Sequence, residues 1–597
     1  LNLLTVVIGL LITGIVTTYG FLVNQNGKQI SDFAKSKIIL GGRLCFLLAA
    51  GYVIESVTTL ATVLGTNFKQ TFAHGVIQTY LWDLIPSRFL LISAVLALIA
   101  GLWLITGNSL NSIFGAFIFV LASVGYPLVN SHSVALGNHS LAIMASIAHA
   151  IAMSIWVGTV VALIPFIRTK DTLVVSRFSR LATSCVVTLL VSGIVSAATR
   201  MQTFSDLFNA GYGQLVLLKI VLFLAIAYFA IQVRKSLVAS GKSLLFVLWE
   251  ISTMAVAVGV GVALHFTPPS RTRLAGNSAA EDILGFNFPP PPSAKNYLFG
   301  WYPDWAILTL AIFGCTLYIV GVIRLRNNEI AWPIGRTLSF MCGIATVIWV
   351  SCAGISRYAM ISFSAHMIQH MVLAMLVPIF IVLGAPITLA LRALPTNSDA
   401  NFRSIRTWLV SLLHSRYSRI VTKPLLVLFI FSVSLYGLYF TSLFSSLMGD
   451  HTGHIAMSLH FLVTGILFCY LAIGVDPTPN RLPYWGKLLL VLVSLSIHAF
   501  FALAIMQSES PLGDTWYRQV QPPWLTDPLL DTHTAGGIAW AIGEIPMLAL
   551  LVVIAIQWAR ADQRSSKQQD RAADRDNDAE LSEYNKMLAN LNRSDSN

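Results

Sequence analysis

Ser362 to Pro386 reads SFSAHMIQHMVLAMLVPIFIVLGAP, a run of metal-ligand side chains set inside an otherwise apolar helical stretch. On a helix His366 and His370 stand one turn apart and share a face, and Met367, Met371 and Met375 repeat the same step on an adjoining stripe. Imidazole suits copper among other metals, and thioether selects Cu(I). Polar groups at this depth in apolar sequence carry a desolvation cost that calls for a function. The stretch therefore reads as a copper site. The competing reading has the histidines hydrogen-bonding across a bundle while the methionines fill space.

Of the 597 residues, 56% are hydrophobic and only 11% charged, against roughly a quarter charged in soluble domains. Apolar runs of about 20 residues, separated by polar punctuation, indicate helices and not the ten-residue alternation of a membrane barrel. The expected fold is an all-α polytopic membrane protein of about 15 transmembrane helices in two helical bundles. The chain opens on Leu1 instead of methionine, so an alternative start or a trimmed chain is expected and no signal peptide is judged. Cys45, Cys185, Cys315, Cys342, Cys352 and Cys469 lie in or beside apolar runs with no CxxC, which gives neither a disulfide framework nor a thiolate metal site.

Eight spans fall before a Pro-rich loop containing Pro289 to Pro292, and seven follow, including Pro424 to Tyr439. Five regions result: residues 1–136, four spans of unknown role; 137–270, four more; 271–303, the linker; 304–559, seven spans; and 560–597, a charged tail expected to be disordered or loosely helical. With the tail in the cytoplasm, the inner loops carry 21 lysines and arginines against eight in the outer loops, tail excluded. That asymmetry sets the orientation, so the +12 net charge is a topology signal and points to no nucleic acid. Arg403 to Arg419 reads as an amphipathic helix lying on the inner leaflet.

This orientation gathers the histidines at or near the extracytoplasmic side, with only His414 clearly on the other. Asp450 to His460 reads DHTGHIAMSLH, in which His454, Met457 and His460 step by three and drift around the helix while descending about 9 Å. One ion cannot reach both ends of that row, so it reads as a ligand ladder or as one site with supporting groups. His498 in SIHAFFALAIM and Glu544 in DTHTAGGIAWAIGE add a histidine and an intramembrane carboxylate from two further helices. Gly536 and Gly537 read as points of close helix approach.

HMIQHMVLAMLVPIFIVLGAPITLALRAL, followed by DHTGHIAMSLHFLVTGILF and DTHTAGGIAWAIGE, resembles the CtaG family of cytochrome c oxidase assembly factors over roughly Trp305 to Ala559. The resemblance implies delivery or insertion of copper into a haem-copper oxidase, and on matching positions it points to His366, His370, His451, His454 and His460. Upstream, GNHSLAIMASIAHAIAMSIWVG, then RFSRLA, GYGQLVLLKI and HFTPP, resembles the CopD family of copper resistance and uptake proteins over about Gly137 to Pro269. It implies copper passage across or into the membrane, with His139 and His149 as ligands. Lys219 reads as ion-paired or snorkelling, since an ammonium is no ligand, and Glu55 is offered Lys219 or Arg43 as a partner. A CopD-like half joined to a CtaG-like half resembles fused actinobacterial proteins, and implies that one half hands copper to the other.

The sequence thus proposes a non-enzymatic copper handler of the bacterial plasma membrane, serving cytochrome c oxidase subunits or other assembly factors. Its metal candidates are His366, His370, Met367, Met371, His451, His454, Met457, His460, His139 and His149, holding Cu(I). Two rivals stay open. One is a b-type cytochrome, with His149 opposite His265 or His370 opposite His454 holding a haem. The other is a metal-free scaffold in oxidase biogenesis.

Overall fold

The computed structural model describes residues 2–23, 30–72, 75–130, 139–169, 171–209, 211–238, 243–268, 278–395, 404–449, 451–575 and 579–594. Every regular element among them is a helix, and 14 helices are long and apolar enough to cross a membrane. The chain is an all-α polytopic membrane protein. The expected fifteenth span, Pro424–Tyr439, has only 16 residues, about 24 Å at 1.5 Å per residue and short of a hydrocarbon core of about 30 Å. Pro424 begins it, and Tyr439 ends it in favour of a separate short helix, Leu443–Met448.

Two compact units divide the chain: Leu1–Phe288 with Asp304–Leu310 and Leu394–Leu412, and Pro289–Pro303 with Ala311–Ala393 and Leu413–Asn597. In the first unit, close helix approach is built on glycine. A methyl group on Gly14 of helix Asn2–Thr17 would stand 2.0 Å from the backbone of Gly158 in helix His139–Ala162. Likewise Gly101 faces the Gly42 carbonyl, 2.8 Å from where its Cβ would lie. Such contacts substitute backbone packing for a hydrophobic drive that lipid does not supply. Trp156, two residues before Gly158, is buried with Val160, Cys185, Leu189 and Met254. Glu55 accepts hydrogen bonds from Asn2 Nδ2 (2.9 Å) and Thr5 Oγ1 (3.1 Å), so its partners come from the first helix and not from Lys219 or Arg43. The amphipathic stretch folds as two short helices, Ile405–Leu413 and Arg416–Val421, broken where Ser415 caps the second. Trp408 packs on Phe21 and Phe114, with ring centroids 5.9 and 5.3 Å away. Arg403 lies outside the described residues.

In the second unit the Pro-rich loop is seated on its own bundle. Tyr358 Oη donates to the Pro290 carbonyl (2.6 Å) and Trp524 Nε1 to that of Pro289 (3.0 Å). Helix Pro528–Arg575 runs 48 residues without interruption, about 72 Å, so it carries the start of the tail as helix well past any membrane. A second helix, Ala579–Ser594, follows.

The opening stretch is not one α-helix. Phe363–Met371 is α-helical, Val372–Leu376 forms a π turn, Val377–Leu383 resumes the helix, and after a break at Gly384 and Ala385 (φ +49°) the chain continues as Pro386–Ala393. Pro378 explains the first interruption: it has no N–H and its ring crowds the carbonyl four residues back, that of Ala374. Asp476 caps the last segment, accepting from the backbone N–H of Ile387 (3.2 Å) and Thr388 (2.8 Å).

Candidate metal centre

The start of the Phe363 helix is fixed from 168 residues away. The Asp531 carboxylate, on helix Pro528–Arg575, accepts from the backbone N–H of Phe363 (2.7 Å) and Ser364 (3.3 Å) and from the hydroxyl of Ser362 (3.1 Å). An anion at this position satisfies helix-terminal donors and complements the helix dipole. It also pins the first turn, one step from His366. Burial and the Asp531 charge push the Tyr297 phenol up to about 12, and the same two causes raise that of Tyr517. Both phenols stay neutral beside the cap.

Below it, His366 and His370 are fully buried and their rings lie 4.2 Å apart, centroid to centroid. His454, from helix His451–Ile473, completes a triangle with ring centroids at 5.6 and 5.4 Å from the other two. One ligand nitrogen from each lies within 4.8 Å of the others. Neither ring nitrogen of His370 makes a hydrogen bond among the described residues, and the polar neighbour of the His366 ring is the backbone of Ala359. Leaving buried imidazole nitrogens unmatched costs free energy unless something binds them. Phe363, Tyr439, Phe444 and Phe461 wall the group, their rings 5.0 to 6.2 Å from the histidine they face.

Of the remaining candidates, Met367, Met371 and Met457 are buried in the same unit. Met371 Sδ contacts His498 Nε2 at 3.4 Å. His460 is exposed; six residues beyond His454 it is rotated by about 120° around the helix, away from the triangle. The side chains of His451 and His139 lie outside the described residues. His149 in the first unit is hydrogen-bonded through Nδ1 to Ser192 Oγ (3.0 Å), while His265 is exposed at its helix end. Gly536 is a close-packing point, its Cβ position 2.5 Å from Met506; Gly537 faces open space. Missed from sequence were Asp531 as a cap and Gly465, where an added Cβ would stand 2.1 Å from the Ala374 carbonyl oxygen.

Residues 316–561 match the family described as cytochrome c oxidase caa3 assembly factor (Caa3_CtaG), and residues 172–265 match copper resistance protein D (CopD). The chain joins a CopD segment to a CtaG segment. All three triangle histidines fall in the CtaG segment, whereas the helix bearing His139 and His149 precedes the CopD match. An uncharacterized protein of Mycobacterium bovis is 40% identical over 317 residues, 53% of this chain and 48% of the relative. Another, of Mycobacterium leprae, is 38% identical over the same shares. The copper transport protein CutJ of Bacillus subtilis is 25% identical over 221 residues, 35% of this chain and 41% of that protein. The chain thus spans about half the length, or less, of the curated relatives it matches. No solved structure matches it.

Removing the cap tests how far the site depends on it. Asp531→Ala strips three donors of their acceptor, and about 1 to 2 kcal/mol of stability is expected to go with it. Because His366 sits one turn on, the affinity for a metal held there is expected to fall about 10- to 100-fold, the usual effect of losing a group that orients a ligand. Thermal unfolding in detergent and competition with a Cu(I) chelator read the two effects separately.

Proposed function

We propose that this chain is a copper-handling protein of the bacterial plasma membrane that holds Cu(I) at His366, His370 and His454 and supplies it during cytochrome c oxidase assembly. The observation that carries the proposal is three buried imidazoles converging, with neither ring nitrogen of His370 hydrogen-bonded among the described residues. Their environment bears on the choice of ion. No carboxylate joins the cluster among the described residues, and the desolvation cost of an ion grows with the square of its charge. A monovalent, soft ion is therefore favoured over Zn²⁺ or Cu²⁺, and buried thioethers nearby favour it further. Copper is cargo here, bound by neutral nitrogens that exchange it more readily than a thiolate cage. His366, His370 and His454 hold the ion, while the aromatic wall excludes water.

The CopD segment supports a passage or holding role for the first unit. His149 is engaged by Ser192 and is a weaker ligand candidate than the CtaG-segment histidines. We carry as part of this proposal the cytoplasmic placement of the tail, the extracytoplasmic placement of the histidines, and the five-region division. For the pair His370 and His454 a haem is disfavoured by space: their ring centroids lie 5.4 Å apart and Phe461 stands 5.0 Å from His370.

Metal analysis of the detergent-purified chain, with an absorption spectrum before and after reduction, tests this. At least one copper per chain and no Soret band is the expected result, together with loss of oxidase copper in a strain lacking the protein. A Soret band with a reduced α band makes it a cytochrome. A metal-free chain whose loss still impairs the oxidase makes it a scaffold.

A further inference from the structure

A fourth helix brings another imidazole to the edge of this site. His498, on Tyr484–Met506, is 1% exposed; its Nε2 lies 3.4 Å from Met371 Sδ and its Nδ1 has no hydrogen-bond partner among the described residues. A thioether is a weak acceptor, so a wholly buried imidazole whose polar contact is one sulfur is poorly satisfied. Space for the ring is made by Gly543 on helix Pro528–Arg575: a methyl group there would stand 2.0 Å from His498 Cε1 and 2.5 Å from Nδ1. Met371 follows His370 in the chain and is the last α-helical residue before the π turn Val372–Leu376, a backbone feature frequent at functional sites. Two elements of local structure, a glycine and a helix irregularity, thus converge on a nitrogen and sulfur in contact.

We propose that Met371 and His498 form a second station for a soft monovalent metal ion, Cu(I), beside the three-imidazole site. The proposal rests on the copper reading of His366, His370 and His454. A thioether and one imidazole hold Cu(I) more loosely than three imidazoles do, so the station fills after the first site and gives the ion a step along which to leave. No redox change or bond chemistry is involved; ligands exchange around one ion.

The test uses the full chain in detergent, loaded anaerobically with excess Cu(I) and desalted, with metal counting and X-ray absorption on each sample. Wild type is expected to hold two ions and to show a metal–sulfur distance. Met371→Leu, which preserves volume, is expected to hold one ion with nitrogen neighbours only, and His498→Ala and Gly543→Ala to do the same. His366→Ala with His370→Ala is expected to retain one ion with its sulfur. A wild-type chain holding one ion without sulfur overturns the station and leaves the three-imidazole site standing. Two ions with unchanged sulfur scattering in Met371→Leu and His498→Ala also overturn it. One sulfur-bound ion in wild type, removed by Met371→Leu and untouched by the double histidine variant, overturns the three-imidazole reading instead.

Discussion

Replacing His370 with alanine is expected to lower the Cu(I) affinity of the purified chain at least about 100-fold, which is about 2.8 kcal/mol or more. Of the three histidines proposed to hold the ion, His370 is closely packed on two sides. It is fully buried, its ring lies 4.2 Å from that of His366, and Phe461 backs it at 5.0 Å. Met371, the next residue, is turned to His498 and does not stand in for it. The variant loses one of three donors and opens a void in an apolar interior that water enters at a cost. Copper lost from a chain that still unfolds cooperatively in detergent, at a temperature lowered by no more than the void accounts for, is the signature of a ligand. His460→Ala, by contrast, alters an exposed ring and is expected to leave affinity within about twofold, or about 0.4 kcal/mol. Chelator competition on both variants checks the pair, and equal losses would dissolve the distinction between them.

That contrast marks where sequence reading runs out. His366 and His370 were legible because four residues on a helix is a local relation, indifferent to the rest of the fold. His454 and His460 were not separable, since both sit in one row and only the neighbouring helix decides which side faces the triangle. The stripe from Met367 to Met375 was overdrawn: the π turn at Val372–Leu376 breaks the α periodicity that joins them. Pro378 was in view, but its effect on the carbonyl four residues earlier appears only once a partner helix is present. Span number was legible to within Pro424–Tyr439, where hydropathy is high and length is the deficit. Asp531 was visible as an acid near the start of the last span, yet its partners lie at Ser362, Phe363 and Ser364. No spacing rule reaches across that separation. Glycines divide the same way: composition cannot tell Gly536, packed against Met506, from Gly537, which faces nothing.

Gly465→Val is expected to destroy the site without touching a ligand. Pro378 cannot donate to the Ala374 carbonyl, and its ring pushes that carbonyl outward from its own helix. The freed oxygen meets the helix bearing His454 at Gly465, where a Cβ would lie 2.1 Å from it and 2.7 Å from Pro378 Cγ. Only a glycine permits this approach, which lets Cα–H face the oxygen as a weak donor. Valine at this position has backbone on one side and a rigid ring on the other, so no rotamer relieves the clash. The two helices must separate by an ångström or more. His454 lies 11 residues from Gly465 on the same rigid helix, roughly 16 Å away, so any tilt carries it out of the triangle. The expected stability loss is about 3 kcal/mol or more, at the upper end for overpacking because the obstacle is main chain. Copper binding is expected to fall to the level of a two-histidine site. Gly465→Ala is the milder form, with a smaller loss in both readouts along the same line. Pro378→Ala in the Gly465→Ala background is the discriminating measurement: restoring the N–H at residue 378 draws the Ala374 carbonyl back into its helix, and a partial recovery of copper affinity follows. If the double variant is no better than Gly465→Ala alone, the carbonyl released by Pro378 is not what sets the distance between the two halves of the site.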